Sequence, residues 1–241
     1  MLITSAKNEL IKSLKKQIKD KEVICLDNPK IIAEASENGV DFLYLFKKDG
    51  YCLQQTFNCE CITLSENVFE ALSTTENSQG LLAIVRLKSH SLKPPQGDFL
   101  VLDNIQDPGN VGTLIRSALG ANFLDIYLLD SAKICGDKVV RSSMGTIFKT
   151  RCYEITKQEF LDSFKNWGKK LYTCDMYGEN IYKTTFGDNI GIVVGNEGQG
   201  VSREIESICT NKISIPMQNN LESLNAGVSG SIIMYEIANR K

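Results

Sequence analysis

Three short polar stretches carry the side chains in this chain that could do chemistry, and each follows an apolar run. The first, Asp107-Pro-Gly-Asn110-Val-Gly-Thr-Leu-Ile-Arg116, sets Asn110 and Arg116 six residues apart. Its Asp-Pro-Gly-Asn opening is turn chemistry, so the spacing predicts a helix from near Val111 with Asn110 as its cap. Arg116 then lies nearly two turns in, among Val111, Leu114, Ile115, Ala118 and Leu119. A guanidinium on so apolar a helix is either aimed at an anion or carried to the surface on its aliphatic stem, and both readings stay open. The second stretch, Gly195-Asn-Glu197-Gly198-Gln-Gly200, has three glycines in six positions around one acid, Glu197, read as buried. Glycines there let the backbone come close to a ligand and offer it N–H and C=O groups. The stretch is neither a GxGxxG fingerprint nor a Walker loop, because no Gly-Lys-Ser/Thr follows. The third runs from Pro216-Met217 to Ser223-Leu224-Asn225, where Asn225 reads as the cap of a small-residue helix and Ser223 satisfies a turn.

What is scarce narrows the chemistry further. One histidine, His90, stands among 241 residues, in Lys88-Ser-His-Ser91 beside Pro94-Pro95, an exposed linker by its composition. A Ser-His-Asp triad, a multi-histidine zinc site or a histidine base would all depend on it, so catalysis is expected to run without histidine. The eight cysteines (25, 52, 59, 61, 135, 152, 174 and 209) include no CxxC pair. They read as buried free thiols of a reducing compartment, and no metal is expected. The 27 basic and 29 acidic residues sum to −2, which excludes a polybasic nucleic-acid binder and leaves room for a local patch. Residues 1–21 hold six lysines against two acids, with Lys12, Lys15, Lys16 and Lys19 opposite an apolar face of Leu10, Leu14 and Ile18. That face is either simply solvated or set against phosphates. The first segment is amphipathic and no apolar stretch could span a bilayer, so a soluble, cytoplasmic protein is expected.

The elements that must position these residues follow from periodicity and punctuation. Asn28-Pro29 to Asn38-Gly39 predicts a capped helix, Val40–Phe46 and Leu81–Leu87 predict strands, and Thr63-Leu-Ser-Glu66 has capping-box spacing ahead of Val68, Phe69 and Leu72. Residues 1–90 therefore read as a small α/β domain. Ser89–Gly97, with two prolines, is the best boundary, with 91–97 as the linker and 98–241 as a second domain. There, strands are predicted at Phe99–Leu102, Ile126–Leu129, Lys170–Cys174, Ile190–Val194 and Ile213–Ile215. Helices are predicted at Val111–Leu119, Glu159–Trp167 and Gly227–Ala238. Apolar strands alternating with helices argue an α/β fold with a mainly parallel sheet, whose ligands sit beyond the carboxyl ends of strands.

Taken in this order, the three stretches resemble the signature motifs of the SpoU/TrmH family of RNA ribose 2′-O-methyltransferases, within the SPOUT superfamily. The matching segments are Asn110 to Arg116, Val193-Val-Gly-Asn-Glu197-Gly, and Ile215-Pro-Met217 through Ser223-Leu-Asn225. Arg141-Ser-Ser-Met-Gly145 with Ile147-Phe148 is similar to a further family element. The resemblance covers about residues 97–241. Residues 1–90 look like the family's ribosomal-protein-like substrate-binding domain, from Ile3-Thr-Ser-Ala-Lys-Asn8 to Gln79-Gly80-Leu-Leu-Ala. They depart from it at Ile24-Cys-Leu-Asp27-Asn28, where a Phe-x-x-Glu-Gly-type segment is usual.

The resemblance implies a deep trefoil knot in the second domain, a homodimer, and S-adenosylmethionine as methyl donor. The donor would be held by Gly195, Asn196, Gly198, Ile215, Met217, Ser223, Leu224 and Asn225. Arg116 would act on the 2′-hydroxyl, with Asn110, Glu197, Ser223 and Asn225 keeping it, the donor and the ribose in register. A guanidinium is a poor base, so Arg116 is read as aligning an RNA phosphate and stabilising the developing alkoxide, the proton leaving through that phosphate or through a transiently neutral Arg116. Lys12, Lys15, Lys16, Lys19 and Arg141 would face the RNA, with Lys138, Lys149 and Arg151 extending the patch. Large-subunit ribosomal RNA is preferred as substrate, because a separate N-terminal domain resembles the rRNA-acting subgroup. The alternatives are a tRNA 2′-O-methyltransferase or an inactive RNA-binding factor of the same fold.

Overall fold

The continuous apolar runs of the second half become strands buried on both faces. A computed structural model describes residues 2–20, 22–75, 78–87, 89–219, 221 and 223–240. The first half folds as β1 (Leu2–Ile3), α1 (Glu9–Lys19), β2 (Ile24–Leu26), α2 (Pro29–Glu37), β3 (Phe42–Lys48), β4 (Cys61–Leu64), α3 (Glu66–Leu72) and β5 (Leu81–Val85). Its sheet has the order β1-β4-β3-β5-β2; β1, β3 and β4 run parallel, and β5 lies antiparallel to β2 and β3. Asn28 caps α2 as expected, its Oδ1 accepting from Lys30 N at 2.9 Å, and Gly39 takes φ +72° after the helix ends. The Thr63–Glu66 capping box does not form. Thr63 and Leu64 belong to β4, and Ser65 caps α3 without a side-chain hydrogen bond.

The second half contains β6 (Phe99–Asp103), α4 (Pro108–Gly120), β7 (Asp125–Leu129), α5 (Asp137–Ser143), a 3₁₀ turn (Thr146–Lys149) and β8 (Arg151–Ile155). It continues through α6 (Lys157–Phe164), β9 (Lys170–Asn180), β10 (Ile190–Gly195), α7 (Arg203–Glu206), β11 (Asn211–Ser214) and α8 (Ala226–Asn239). Every pairing in the sheet β11-β9-β10-β6-β7-β8 is parallel. The chain builds outward from β6 to β8, then crosses to the far side for β9 and returns β10 to the centre. That reversal of direction is the switch point at which open parallel sheets form ligand crevices. One face of the sheet packs on Val111, Leu114, Ile115 and Ala118 of α4 and Ile233, Met234 and Ile237 of α8. The other packs on Phe160 and Phe164 of α6 and on Ile205.

The helix after β6 starts earlier than its sequence pattern suggests. Asp107, not Asn110, is the cap; it accepts from Gly109 N at 3.1 Å, and Pro108 occupies the first helical position, which its fixed φ suits. Asn110 falls inside the first turn instead. The functional capping box is Thr156–Glu159, where Glu159 Oε2 accepts from Thr156 N at 2.7 Å, so α6 begins at Lys157 and ends at Phe164. β9 runs six residues beyond Cys174. The short elements α5, β8 and α7 carry mixed polar and apolar residues without a clear period, so no pattern announced them.

His90 is exposed, as its setting implied, but the stretch around it is tied down along β8. His90 N donates to Cys152 O at 2.9 Å, Glu154 N to Ser89 Oγ at 2.7 Å, and Tyr127 Oη to Lys93 O at 2.7 Å. Gln96 N donates to Asp125 Oδ2 at 3.0 Å, and Arg151 clamps the same carboxylate with Nε at 2.6 Å and Nη2 at 2.8 Å. Lys88 lies outside the described residues. No disulfide joins the eight cysteines, and only Cys25 and Cys152 are buried; Cys52 is exposed and the others are part-buried. No helix of the described residues is long and apolar enough to cross a membrane.

Candidate active site

The three polar stretches follow β6, β10 and β11, and the first two meet where Asn110 reaches Glu197. The stretch after β10 folds back on itself: Asn196 N donates to Gly200 O at 3.0 Å and Gly200 N to Asn196 O at 2.8 Å. Only glycine fits at position 195, because a Cβ there would stand 2.4 Å from the carbonyl carbon of Gly200. Asn196 locks the turn from within, accepting on Oδ1 from Gly198 N at 3.0 Å and Gln199 N at 3.1 Å while Nδ2 donates to Asn104 O at 3.0 Å. Behind it, buried Asp103 accepts from Ser202 N at 2.6 Å and faces Lys157 at 3.6 Å. The result is a stiff turn whose outer residues, Glu197 to Gly200, are presented to solvent.

Two adjoining cavities, of about 310 and 420 Å³, open between this turn, the middle of β9 and the segment joining β11 to α8. Together they have the size of a small-molecule site. Six of the eight residues expected to hold a donor line them: Gly195, Asn196, Ile215, Met217, Ser223 and Leu224. Gly198 belongs to the turn itself. Asn225 stands behind the wall as the cap of α8, accepting from Gly227 N at 2.9 Å and Val228 N at 3.3 Å, as its sequence position implied. No sequence motif singles out the wall formed by Thr173, Cys174, Asp175 and Met176. The signal was available, since these residues start at the point where β9 stops pairing with β10, but their mixed composition matches no motif. Burial pushes the Cys174 thiol up to about 12, so it is no thiolate nucleophile. Asp175 stays well below the usual carboxylate range because Tyr177 N–H donates to it and Lys212 pairs with it at 2.9 Å.

Glu197 departs from its expected burial and is exposed. It sits at the tip of a reversing turn, yet its carboxylate is held, because Asn110 Nδ2 donates to Oε1 at 2.5 Å. Asn110 is buried, and its Oδ1 lies 3.2 Å from where a Cβ on Gly227 would be, beside Asn225 Oδ1 at 3.1 Å and Thr113 Cγ2 at 3.3 Å. Glycine at 227 thus lets α8 close against α4, and Asn110, Glu197 and Asn225 form one polar cluster at the rim of the cleft.

Arg116 is not part of that cluster. It is exposed, makes no hydrogen bond or ion pair with the described residues, and lines a separate groove of about 500 Å³ with Thr113, Ser117, Ser142, Thr146 and Tyr235. Asn110, Thr113 and Arg116 follow one another at helical spacing along α4, so a single face of that helix joins the rim cluster to the groove. The guanidinium therefore reaches the surface, with no carboxylate among the described residues to neutralise it.

The basic residues divide sharply. Lys12, Lys15, Lys16 and Lys19 are exposed along α1; Lys21 lies outside the described residues. In the second half three of the expected patch residues are engaged in ion pairs: Lys138 with Asp107 at 2.7 Å, Lys149 with Glu34 at 2.7 Å and Arg151 with Asp125 at 2.6 Å. Arg141 turns its Nη1 to Thr74 Oγ1 at 3.3 Å. The exposed lysine row of the expected patch therefore lies on α1, although Lys133, Lys170 and Lys183 of the second half are exposed as well. Among the described residues no group of histidine, cysteine, aspartate or glutamate is arranged to hold a metal ion.

Comparison with known proteins bears on this arrangement. The family model described as SpoU rRNA Methylase family matches residues 98–235. The 23S rRNA (guanosine(2553)-2′-O)-methyltransferase RlmP of Bacillus subtilis is 28% identical over 244 residues, spanning 98% of each chain. The crystal structure of an RNA 2′-O ribose methyltransferase is 25% identical with a TM-score of 0.84, covering 100% of this chain and 98% of its own. The SpoU methyltransferase AviRb from Streptomyces viridochromogenes, in complex with the cofactor AdoMet, shares the fold. Its TM-score is 0.84 at 22% identity, over 97% of this chain and 98% of its own.

Proposed function

The chain belongs to the SpoU rRNA methylase family, and from that premise we propose that it methylates a ribose 2′-hydroxyl in structured RNA, using S-adenosylmethionine. The observation that carries the reading is the cleft at the switch point, where a turn that tolerates no side chain at Gly195 faces the backbone of Ile215–Met217 and Ser223–Leu224. Such a site suits the donor well: apolar walls from Ile215, Met217 and Leu224 fit an adenine ring, while close-lying peptide groups satisfy its polar edge. When bound, S-adenosylmethionine supplies a methyl group already activated by a sulfonium.

This chain's residues then have to orient the acceptor oxygen and manage its proton. Asn110 holds Glu197 at the rim, and Asn225 fixes the start of α8 beside Ser223, so the wall of the cleft is preorganised. Arg116, free of internal partners, is the group available to engage an RNA phosphate and stabilise a developing alkoxide. Within one chain Arg116 and the cleft lie apart. Tyr235 of α8 lines the Arg116 groove and is exposed, which supports a homodimer formed through α4 and α8. The deep knot is proposed from the family and agrees with the central return of β10. The lysines of α1 are assigned to the RNA backbone.

Large-subunit ribosomal RNA is favoured over tRNA, because the end-to-end relative from Bacillus subtilis, first half included, is named a 23S rRNA enzyme. The test is transfer of labelled methyl groups onto fractionated RNA, followed by mapping of the modified nucleotide. Label in large-subunit rRNA is the expected result. Label in tRNA would support the alternative, and no transfer despite donor binding would leave an RNA-binding factor.

A further inference from the structure

Arg141 and Ser142 are neighbours on α5 that face opposite ways. Ser142 packs against α4 where Gly112 leaves room, since a Cβ on Gly112 would stand 2.5 Å from Ser142 Cβ. It also walls the groove that holds Arg116. Arg141 reaches toward the first half, and its Nη1 donates to Thr74 Oγ1 at 3.3 Å. That hydroxyl in turn donates to Asp27 Oδ2 at 3.0 Å, an oxygen that also accepts from Thr74 N at 3.2 Å and Ser73 Oγ at 3.4 Å. The direction of each bond is set by chemistry: a guanidinium only donates and a carboxylate only accepts, so the threonine hydroxyl must relay between them.

Asp27, only 5% exposed, is the one buried polar or charged residue among the described residues of the first half. A carboxylate so placed is costly unless its lone pairs are satisfied, and here the satisfying hydroxyl is itself bound to the other half of the chain. The contacts around it run the same way. Val140 packs in the core shared with α2, and Lys149 pairs with Glu34 at 2.7 Å. Gly145, at φ +82°, lets the backbone pass where a Cβ would lie 3.1 Å from Glu34 Cβ. Residues 140–149 are thus held by the first half on one side and by α4 on the other.

We infer that the Asp27–Thr74–Arg141 chain is a positioning device that couples the seating of the RNA-binding half to the wall of the Arg116 groove. Asp27 and Thr74 touch no substrate; they act through Arg141 and its neighbour Ser142. Arg141 is then a strut between the halves and not a phosphate contact. The inference rests on the reading of the Arg116 groove as the place of the acceptor nucleotide.

The test compares Thr74→Val, which keeps the shape and removes the relay, with Thr74→Ser, which keeps the hydroxyl, in the full chain. Thr74→Val is expected to lower kcat for RNA methylation about tenfold, the scale set by one hydrogen bond to a charged group. Its affinity for S-adenosylmethionine should not change, and Thr74→Ser should recover most of the loss. Amide hydrogen exchange along α5 should quicken about tenfold in Thr74→Val without RNA present, a readout that needs no activity. Wild-type exchange in α5 would overturn the inference, as would equal losses in the Val and Ser variants. A rise in KM for RNA at unchanged kcat would place Arg141 on the RNA surface instead. Should Thr74→Val fail to fold, Arg141→Met with the same readouts decides between these outcomes. If the wild-type chain methylates no RNA, the proposed function fails while the exchange measurement still tests the coupling.

Discussion

The two sheets bury polar groups in contrasting ways. In the first, Asp27 stands alone among the described residues, and charge is displayed outside, on the lysine face of α1. In the second, Asp103, Asn110, Asp125, Ser143, Thr150, Thr173 and Thr184 are all buried. Three of these, Asp103, Asn110 and Thr173, stand where β6 ends and where the pairing of β9 with β10 ends, beside the cleft. Buried polar groups are tolerated only where partners hold them, so their clustering marks where the fold gives up apolar packing for a shaped site. The first half is built as a contact surface, the second as a cleft. Asp27 is the exception that joins them.

The largest effect that would sharpen this contrast is at Arg116. Arg116→Ala should lower methyl transfer about 10²–10³-fold, the range for loss of a preorganised charge-stabilising donor, while donor binding by calorimetry stays unchanged. Full transfer in this variant would remove Arg116 from the chemistry.

Next is the buried pair at the edge of the second sheet. Burial alone would raise the Asp125 carboxyl, but bonds from Arg151, Gln96 N–H and Tyr153 outweigh it and hold the group below its ordinary value. Because that value is depressed in the folded state, the stabilisation is complete above about pH 4 and fades as pH falls through the folded value. Arg151→Met would leave the carboxylate uncompensated and cost roughly 2–4 kcal/mol; we place it in the lower part of the buried-pair range because Arg151 is 34% exposed. Thermal unfolding at pH 7 measures it, and a melting point within a degree of wild type would contradict the account.

Gly195→Ala should weaken donor affinity about 10–100-fold, because the turn must shift to admit the new Cβ 2.4 Å from Gly200. Unchanged affinity would mean that the turn does not shape the site.

The smallest effect is a matched pair of caps. Asn28→Ala and Asn225→Ala should each cost about 1 kcal/mol of stability. Only the second should also weaken donor binding, since Asn28 caps a helix away from the cleft. Equal donor affinity in both would erase the functional distinction between the halves at this position.

Much of this was legible from residues alone where one physical signal dominated. Asn28-Pro29 announced α2, unbroken apolar runs announced β6, β7 and β10, and Asn225 before small residues announced α8. Reading failed where two signals competed. Asp107 and Asn110 are both good caps, and Pro108, which favours the first helical position, decided for the former. Thr63 could have served a helix, but the strand took it. Glu197 looked like a buried acid because its neighbours are glycines, whereas a turn that folds back on itself pushes its tip outward.

The sequence by itself determined the identity and order of the three polar stretches, the parallel character of the second sheet, and the scarcity of histidine. These depend on local periodicity and on chemistry that each residue carries with it. Only the tertiary structure decided which charges remain free. Lys138, Lys149 and Arg151 look like Lys12 and Lys16 in the sequence, yet they are taken up by Asp107, Glu34 and Asp125, partners 31, 115 and 26 positions away. Ion pairing follows distance in space, and no spacing rule along the chain reveals it. For the same reason Arg116 emerged as a cation unpaired among the described residues, and Arg141 as a link between the two halves.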